Sequence, residues 1–206
     1  SALEIAMRAM GLKKGDTVLV PTNTFTATAA TVFYAGGKPV FTDVNPDSLC
    51  IDAKNIRKKL TQKVKGVIVV HVAGLVCPDI DEIRELCKEK GLFLIEDAAH
   101  AHGSLYKGVP AGSLGDVGCF SFYPAKILGA AGDGGLAATS NEEIAEKIRL
   151  LRDHGLERAS GNILFYGFNS RLDNLQAAIL NVKLKHLPEW IERRRELAGL
   201  DHHGLS

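Results

Sequence analysis

The stretch that decides the fold is residues 64–97, VKGVIVVHVAGLVCPDIDEIRELCKEKGLFLIED. Its first part, VKGVIVVHV, is a continuous apolar run of the kind buried on both faces of a sheet. PDIDEIRELCKEKG then reads as a helix, with Pro78 and Asp79 at its start and Gly91 after its end. LFLIED is a second buried strand. Working outward, the same alternation recurs. DTVLVP and KPVFTDV read as strands, with the helix TATAATVFYAGG between them, ended by glycine. SLCIDAKNIRKKL runs into a helix. GDVGCFSF and GGLAATS read as two more strands, and NEEIAEKIRLLRDHG as a capped helix with apolar residues at helical spacing. Residues 172–197 are again helical, interrupted near Pro188. Strands alternating with helices predict an α/β layer on a mainly parallel sheet.

The totals bound the function. A chain of 206 residues fits one sizeable domain. A net charge of +1 gives no electrostatic pull toward nucleic acid or a membrane surface. No apolar run is long enough to span a bilayer. The four cysteines, Cys50, Cys77, Cys87 and Cys119, lack paired CxxC spacing and read as reduced packing residues of a cytoplasmic protein. At the amino end, Ser1 and Glu4 have capping-box spacing. Residues 1–197 are expected to form the domain, and residues 198–206 an irregular tail.

The chemistry should gather where the strands end, because open α/β sheets bind ligands beyond the carboxyl ends of their strands. His71 ends VIVVH, Glu96 and Asp97 end LFLIED, and Ser121 lies in the strand before Lys126. Taken singly, a carboxylate there more often caps a helix, and a histidine is more often a hydrogen-bonded core residue. Their convergence at one sheet edge changes the weighing. Lys126 stands in CFSFYPAKILGAAGDGG, after a buried strand and before glycines expected to give a ligand room. A lysine so placed is a candidate nucleophile. A buried lysine, a buried aspartate and a phosphate-sized set of backbone amides suggest pyridoxal phosphate.

Several longer motifs point the same way. SALEIAMRAMGLKKGDTVLVPTNTFTATA, KPVFTDVNPDSLCID, FLIEDAAHAHGS, GDVGCFSFYPAKILGAAGDGG and GFNSRLDNLQAAIL, in that order, make the chain resemble the DegT/DnrJ/EryC1/StrS sugar aminotransferases. The resemblance implies a three-layer α/β/α large domain of the aspartate-aminotransferase-like superfamily (fold type I of the pyridoxal-phosphate enzymes), with a mostly parallel sheet. It assigns Lys126 to the Schiff base with pyridoxal 5'-phosphate and to proton shuttling. Asp97 goes to the pyridine nitrogen, and His100 to the ring or its phenolic oxygen. Phe25 is assigned to the ring face, and Ser121 and the Ser1 amide to the phosphate. Asn169 is assigned to the phosphate of a neighbouring subunit, hence a homodimer with shared sites. The resemblance also implies an amino-acid donor, L-glutamate, and a nucleotide-linked keto-sugar acceptor. The family's phosphate loop begins before Ser1 and its small domain follows this segment, so the chain is expected to be a fragment. PAKILGA stands where PTKNLG is commoner. Family dehydratases carry histidine in place of the Schiff-base lysine, and Lys126 argues against that branch.

Three alternatives remain open at this stage: a cyclitol or another ketone as acceptor, or a catalytically silent cofactor-binding regulatory protein. Weaker signals lead elsewhere. GAAGDGG is a loose dinucleotide fingerprint without the following helix or the distant acid. The basic runs at 57–59 and 193–195 read as solvated helix faces. Asp79 and Asp81 read as helix-start residues. His202 and His203 could pair on a metal, but nothing supports it. Tyr123 and His71 are pocket candidates without a role.

Overall fold

The computed structural model describes residues 1–204, the last four as backbone only. Along the chain run α1 (Ala2–Ala9), β1 (Thr17–Pro21), α2 (Thr26–Tyr34), β2 (Lys38–Thr42), α3 (Ala53–Lys59), β3 (Val64–Val70), α4 (Ile80–Lys90) and β4 (Phe93–Asp97). There follow β5 (Leu105–Tyr106), β6 (Val109–Pro110), β7 (Val117–Ser121), β8 (Gly135–Ala138), α5 (Glu142–Arg152), β9 (Leu156–Glu157), β10 (Asn162–Ile163), α6 (Asn174–Leu184) and α7 (Leu187–Gly204). One six-stranded sheet has the order β2-β1-β3-β4-β7-β8. Every pair in it is parallel except β7 with β8. The mainly parallel sheet is therefore present, with one antiparallel edge.

The predicted strand–helix–strand unit forms as read. β3 pairs with β4 in parallel, Val67 opposite Leu94 and Val70 opposite Asp97. All five residues of β4 are buried, as expected of a strand covered on both faces. Pleating divides its side chains: Leu94 packs with the α3 and α4 residues Ile56, Ile80, Ile83 and Leu86. Ile95 packs with Ile5, Val32 and Ile148 from α1, α2 and α5. These two apolar layers make the three-layer sandwich. Gly91 closes α4 in the left-handed conformation (φ 63°), a geometry glycine adopts without a Cβ penalty.

Local chemistry sets several boundaries. Asp52 caps α3 by accepting from the Asn55 amide at 2.6 Å. Asn141 caps α5 by accepting from the Glu143 and Ile144 amides, which satisfies donors that a helix start leaves open. The capping box at Ser1 does not form: Ser1 is the N-cap of α1 without a side-chain bond. Glu4 instead turns one helical turn onward to Arg8, at 3.0 Å, since an i,i+4 ion pair competes for the same carboxylate. Pro188 sits in the first turn of α7 after the break from α6, where its missing N–H costs nothing. The backbone of α7 continues to Gly204, through residues expected to be irregular. The side chains of His202 and His203 lie outside the described residues.

Candidate active site

At the carboxyl edge of the sheet, β4 ends on two adjacent carboxylates that face opposite ways, as pleating requires. Asp97 faces the α1–α2 layer. Its Oδ2 accepts the Thr28 hydroxyl at 2.8 Å, and its Oδ1 accepts the Ala99 amide at 3.2 Å. Thr28 in turn bonds to Thr24 at 2.7 Å. Asp97 is only 8% exposed, and no lysine, arginine or histidine forms an ion pair with it among the described residues. A nearly buried carboxylate with two neutral donors and no cation is a site prepared for a positive group.

Glu96 faces the other layer and is fully buried. Its Oε1 accepts the Leu114 and Gly115 amides at 2.7 and 2.6 Å; its Oε2 accepts Gly112 N–H at 2.7 Å and meets His71 Nε2 at 2.8 Å. His71 Nδ1 accepts from the Cys77 amide at 3.2 Å, so Nε2 carries the proton and donates to Glu96. Burial by itself would raise the Glu96 carboxyl. The bonds from His71, Gly115 and Gly112 outweigh it and hold the group below the ordinary carboxylate range. Both residues, flagged from their place at strand ends, thus bind the 112–115 loop to the sheet and do not face Asp97.

Lys126 follows β7 on a closed loop. Its amide donates to the Tyr123 carbonyl at 2.9 Å, Ala130 donates to Phe122 at 2.8 Å, and Phe122 to Gly134 at 2.8 Å. Ala131 donates to Gln176 Oε1 at 2.9 Å, and Lys183 Nζ to the Gly129 carbonyl. Phe122, Leu128 and Ala130 pack under Leu180 of α6. A Cβ on Gly129 would stand 2.4 Å from the Pro124 carbonyl oxygen. This glycine serves loop closure, a different need from the ligand room expected of it.

The Lys126 charge is felt by both histidines of the turn after β4. Partial burial and Lys126 pull His100 below the usual imidazole value, while Asp97 pulls it up. His100 therefore lies near enough to both Lys126 and Asp97 to feel their charges. Ser121 ends β7 opposite Gly135 of β8, and a Cβ on Gly135 would lie 3.7 Å from that of Ala2. The amino end of α1, with Ser1, thus stands beside Ser121. Phe25, at the N-cap of α2, is 79% exposed. Asn169 is apart from this group. It bridges to Asp153, and its neighbour Phe168 lies 5.0 Å under the Arg8 guanidinium, about two turns along α1 from Ser1.

A family model for the DegT/DnrJ/EryC1/StrS aminotransferase family matches residues 1–206. The chain belongs to this family. It is 44% identical over 198 residues to a pleiotropic regulatory protein of Geobacillus stearothermophilus, covering 96% of this chain and 53% of that one. Identity is also 44% over 198 residues to the UDP-N-acetyl-3-dehydro-alpha-D-glucosamine 3-aminotransferase of Acidithiobacillus ferrooxidans, with the same coverages. Among solved structures, Streptomyces venezuelae DesV in complex with a ketimine intermediate superposes with a TM-score of 0.95 at 40% identity, over 100% of this chain and 55% of that one. Bacillus subtilis NtdA with bound PMP gives 0.82 at 37% identity, over 90% and 42%. The chain spans about half the length of the curated relatives it matches.

DegT-family aminotransferases use pyridoxal phosphate, and the residues present fit that group. The uncompensated Asp97 carboxylate suits a protonated ring nitrogen. The pinned Lys126 suits a reactive amine. The amino end of α1 and the Ser121 hydroxyl suit a phosphate. Two neighbours of the site escaped the sequence reading. Thr28 orients Asp97. His102 is buried with both ring nitrogens unpaired, its centroid 5.4 Å from Phe120 and 6.0 Å from Phe122. Burial and the Lys126 charge lower its affinity for a proton.

Proposed function

We propose that the full-length protein is a pyridoxal-phosphate-dependent aminotransferase. It moves an amino group from an amino acid, L-glutamate, to the ketone of a nucleotide-linked sugar. The observations that carry this are a buried Asp97 that lacks a cation and Lys126 held on its pinned loop, with His100 near both. The Acidithiobacillus ferrooxidans relative, named for a nucleotide sugar, supports the acceptor class.

When bound, the cofactor supplies an electron sink for the carbon that loses its proton. The chain's own residues do the rest. Asp97, fixed by Thr28 and Ala99, holds positive charge at the ring nitrogen. Ser121 and the first amides of α1 hold the phosphate. Phe25 would cover the cofactor ring, and His100 would stand at its edge. Lys126 takes the proton from the substrate carbon and returns it one step later, a general acid–base role that needs the fixed loop.

The protein acts as a cytoplasmic homodimer in this reading. α6 leaves Leu175, Val182 and Leu184 exposed, and Ile163, Leu164 and Tyr166 are exposed after β9. Such apolar area fits a second copy, and Asn169 would then serve the partner's phosphate. Sedimentation of the full-length protein, with and without Asn169→Ala, tests this. A monomer at working concentration contradicts the shared site, as does unchanged cofactor affinity in the variant.

Adding glutamate to the cofactor-loaded protein should abolish the long-wavelength absorbance of lysine-bound cofactor. The regulatory name of one relative favours a second reading, a silent binder, for which the band persists. A ketone panel that includes cyclitols then separates sugar from other acceptors.

A further inference from the structure

Two cysteines that the proposed reaction does not use lie together behind the carboxyl edge of the sheet. Cys50 belongs to the segment after β2, next to the bridge between Val44 and Ile51. Cys77 lies in the segment between β3 and α4. The Cys77 Sγ donates to the Ile51 carbonyl at 3.2 Å, which puts it against the residue that follows Cys50. Cys77 is also the main influence drawing the Cys50 thiol below its ordinary range, against burial. Cys77 has little freedom to swing away, because its amide is bound to His71 and His71 to Glu96. Cys87 and Cys119 have no such neighbour, and burial pushes both thiols up.

We propose that Cys50 and Cys77 are a reversible oxidation site that closes to a disulfide when the protein meets hydrogen peroxide. The Cys50 thiolate attacks the peroxide, the O–O bond breaks, and hydroxide leaves, taking a proton to become water. Cys50 is then a sulfenic acid. The Cys77 sulfur attacks the Cys50 sulfur, its proton goes to the departing oxygen, and a second water leaves. Two thiols lose two hydrogens and the peroxide is reduced to two waters. Both sulfurs are buried, so the first step waits on local opening that admits a small oxidant.

The bond would tie the segment after β2 to the turn after β3. That turn carries Gly74, whose carbonyl accepts the Ser104 hydroxyl at 2.7 Å. A Cβ on Gly74 would stand 3.1 Å from the His100 carbonyl oxygen. The oxidised protein therefore holds the floor beneath His100 more tightly.

The test treats the reduced full-length protein with hydrogen peroxide, alkylates it under denaturing conditions, and maps a non-reducing digest by mass spectrometry. Two of this chain's four cysteines should lose alkylation. One linked peptide pair should join Cys50 to Cys77, and a dithiol should restore both. Cys50→Ser should leave Cys77 alkylatable, and Cys77→Ser should divert Cys50 to sulfinic acid. The proposal is overturned if both cysteines stay alkylatable at a peroxide dose that converts Met10 to its sulfoxide. It is equally overturned if the linked pair involves Cys87 or Cys119.

Discussion

Replacing Glu96 with glutamine should weaken the fold sharply while leaving its shape almost unchanged. The carboxylate accepts two donors on each oxygen: Leu114 and Gly115 amides on Oε1, His71 Nε2 and Gly112 N–H on Oε2. Glutamine can put an oxygen on one side only. Its NH2 then faces two donors, and His71 cannot relieve one by shifting its proton, because Nδ1 is taken by the Cys77 amide. Two orphaned buried donors at about 1–3 kcal/mol each give a loss of about 2–6 kcal/mol. Urea unfolding followed through Trp190 measures it. The pH dependence has a definite sign. The carboxyl is held below its ordinary value in the folded state, so its stabilisation is complete above the unfolded carboxylate pKa. It drains away as pH falls through the lowered folded value. Glu96→Gln should flatten that acid limb. A variant within about 0.5 kcal/mol of the parent, which is the usual scatter of neutral surface changes, would refute the reasoning.

Other outcomes follow from the same contacts. Asp97→Asn should keep the fold and slow transamination by about 10²-fold or more, the scale for losing one preorganised charge partner; an unchanged single-turnover rate moves that role elsewhere. Thr28→Val keeps the shape but removes the bond to Asp97, so it should cost about 1 kcal/mol in thermal unfolding and weaken cofactor binding in a fluorescence titration. Gly118→Ala would place a methyl 2.1 Å from the Gly112 carbonyl oxygen, and should cost about 1–3 kcal/mol or more by denaturant titration because the atoms it meets are backbone.

The sheet was legible because its central strands are continuous apolar runs and its helices carry strong end signals, as with Gly91 after α4. The two short hairpins were not. Residues 105–110 and 156–163 are too brief for any periodicity, and the first turns on Lys107 and Gly108, both at positive φ, a turn the sequence marks only by that one glycine. Among the candidate site residues, Lys126, Asp97 and Ser121 stood out by their places at strand ends, and His100 through the family resemblance. The separation of Glu96 from Asp97 was also available, since adjacent strand residues must face opposite sides. Thr28 and His102 were not readable, because a buried threonine on a helix and a histidine between two phenylalanines carry no spacing signal. The Ser1–Glu4 pair shows the opposite error: the spacing was right, but Arg8 competes for the same carboxylate.

The most direct measurement is to load the full-length protein with pyridoxal phosphate, reduce it with borohydride, and map the modified lysine by mass spectrometry. The account predicts that the reduced cofactor is trapped on Lys126 and that Lys126→Ala traps none above background. Trapping at parental levels in Lys126→Ala, or on a different lysine in the parent, would contradict it.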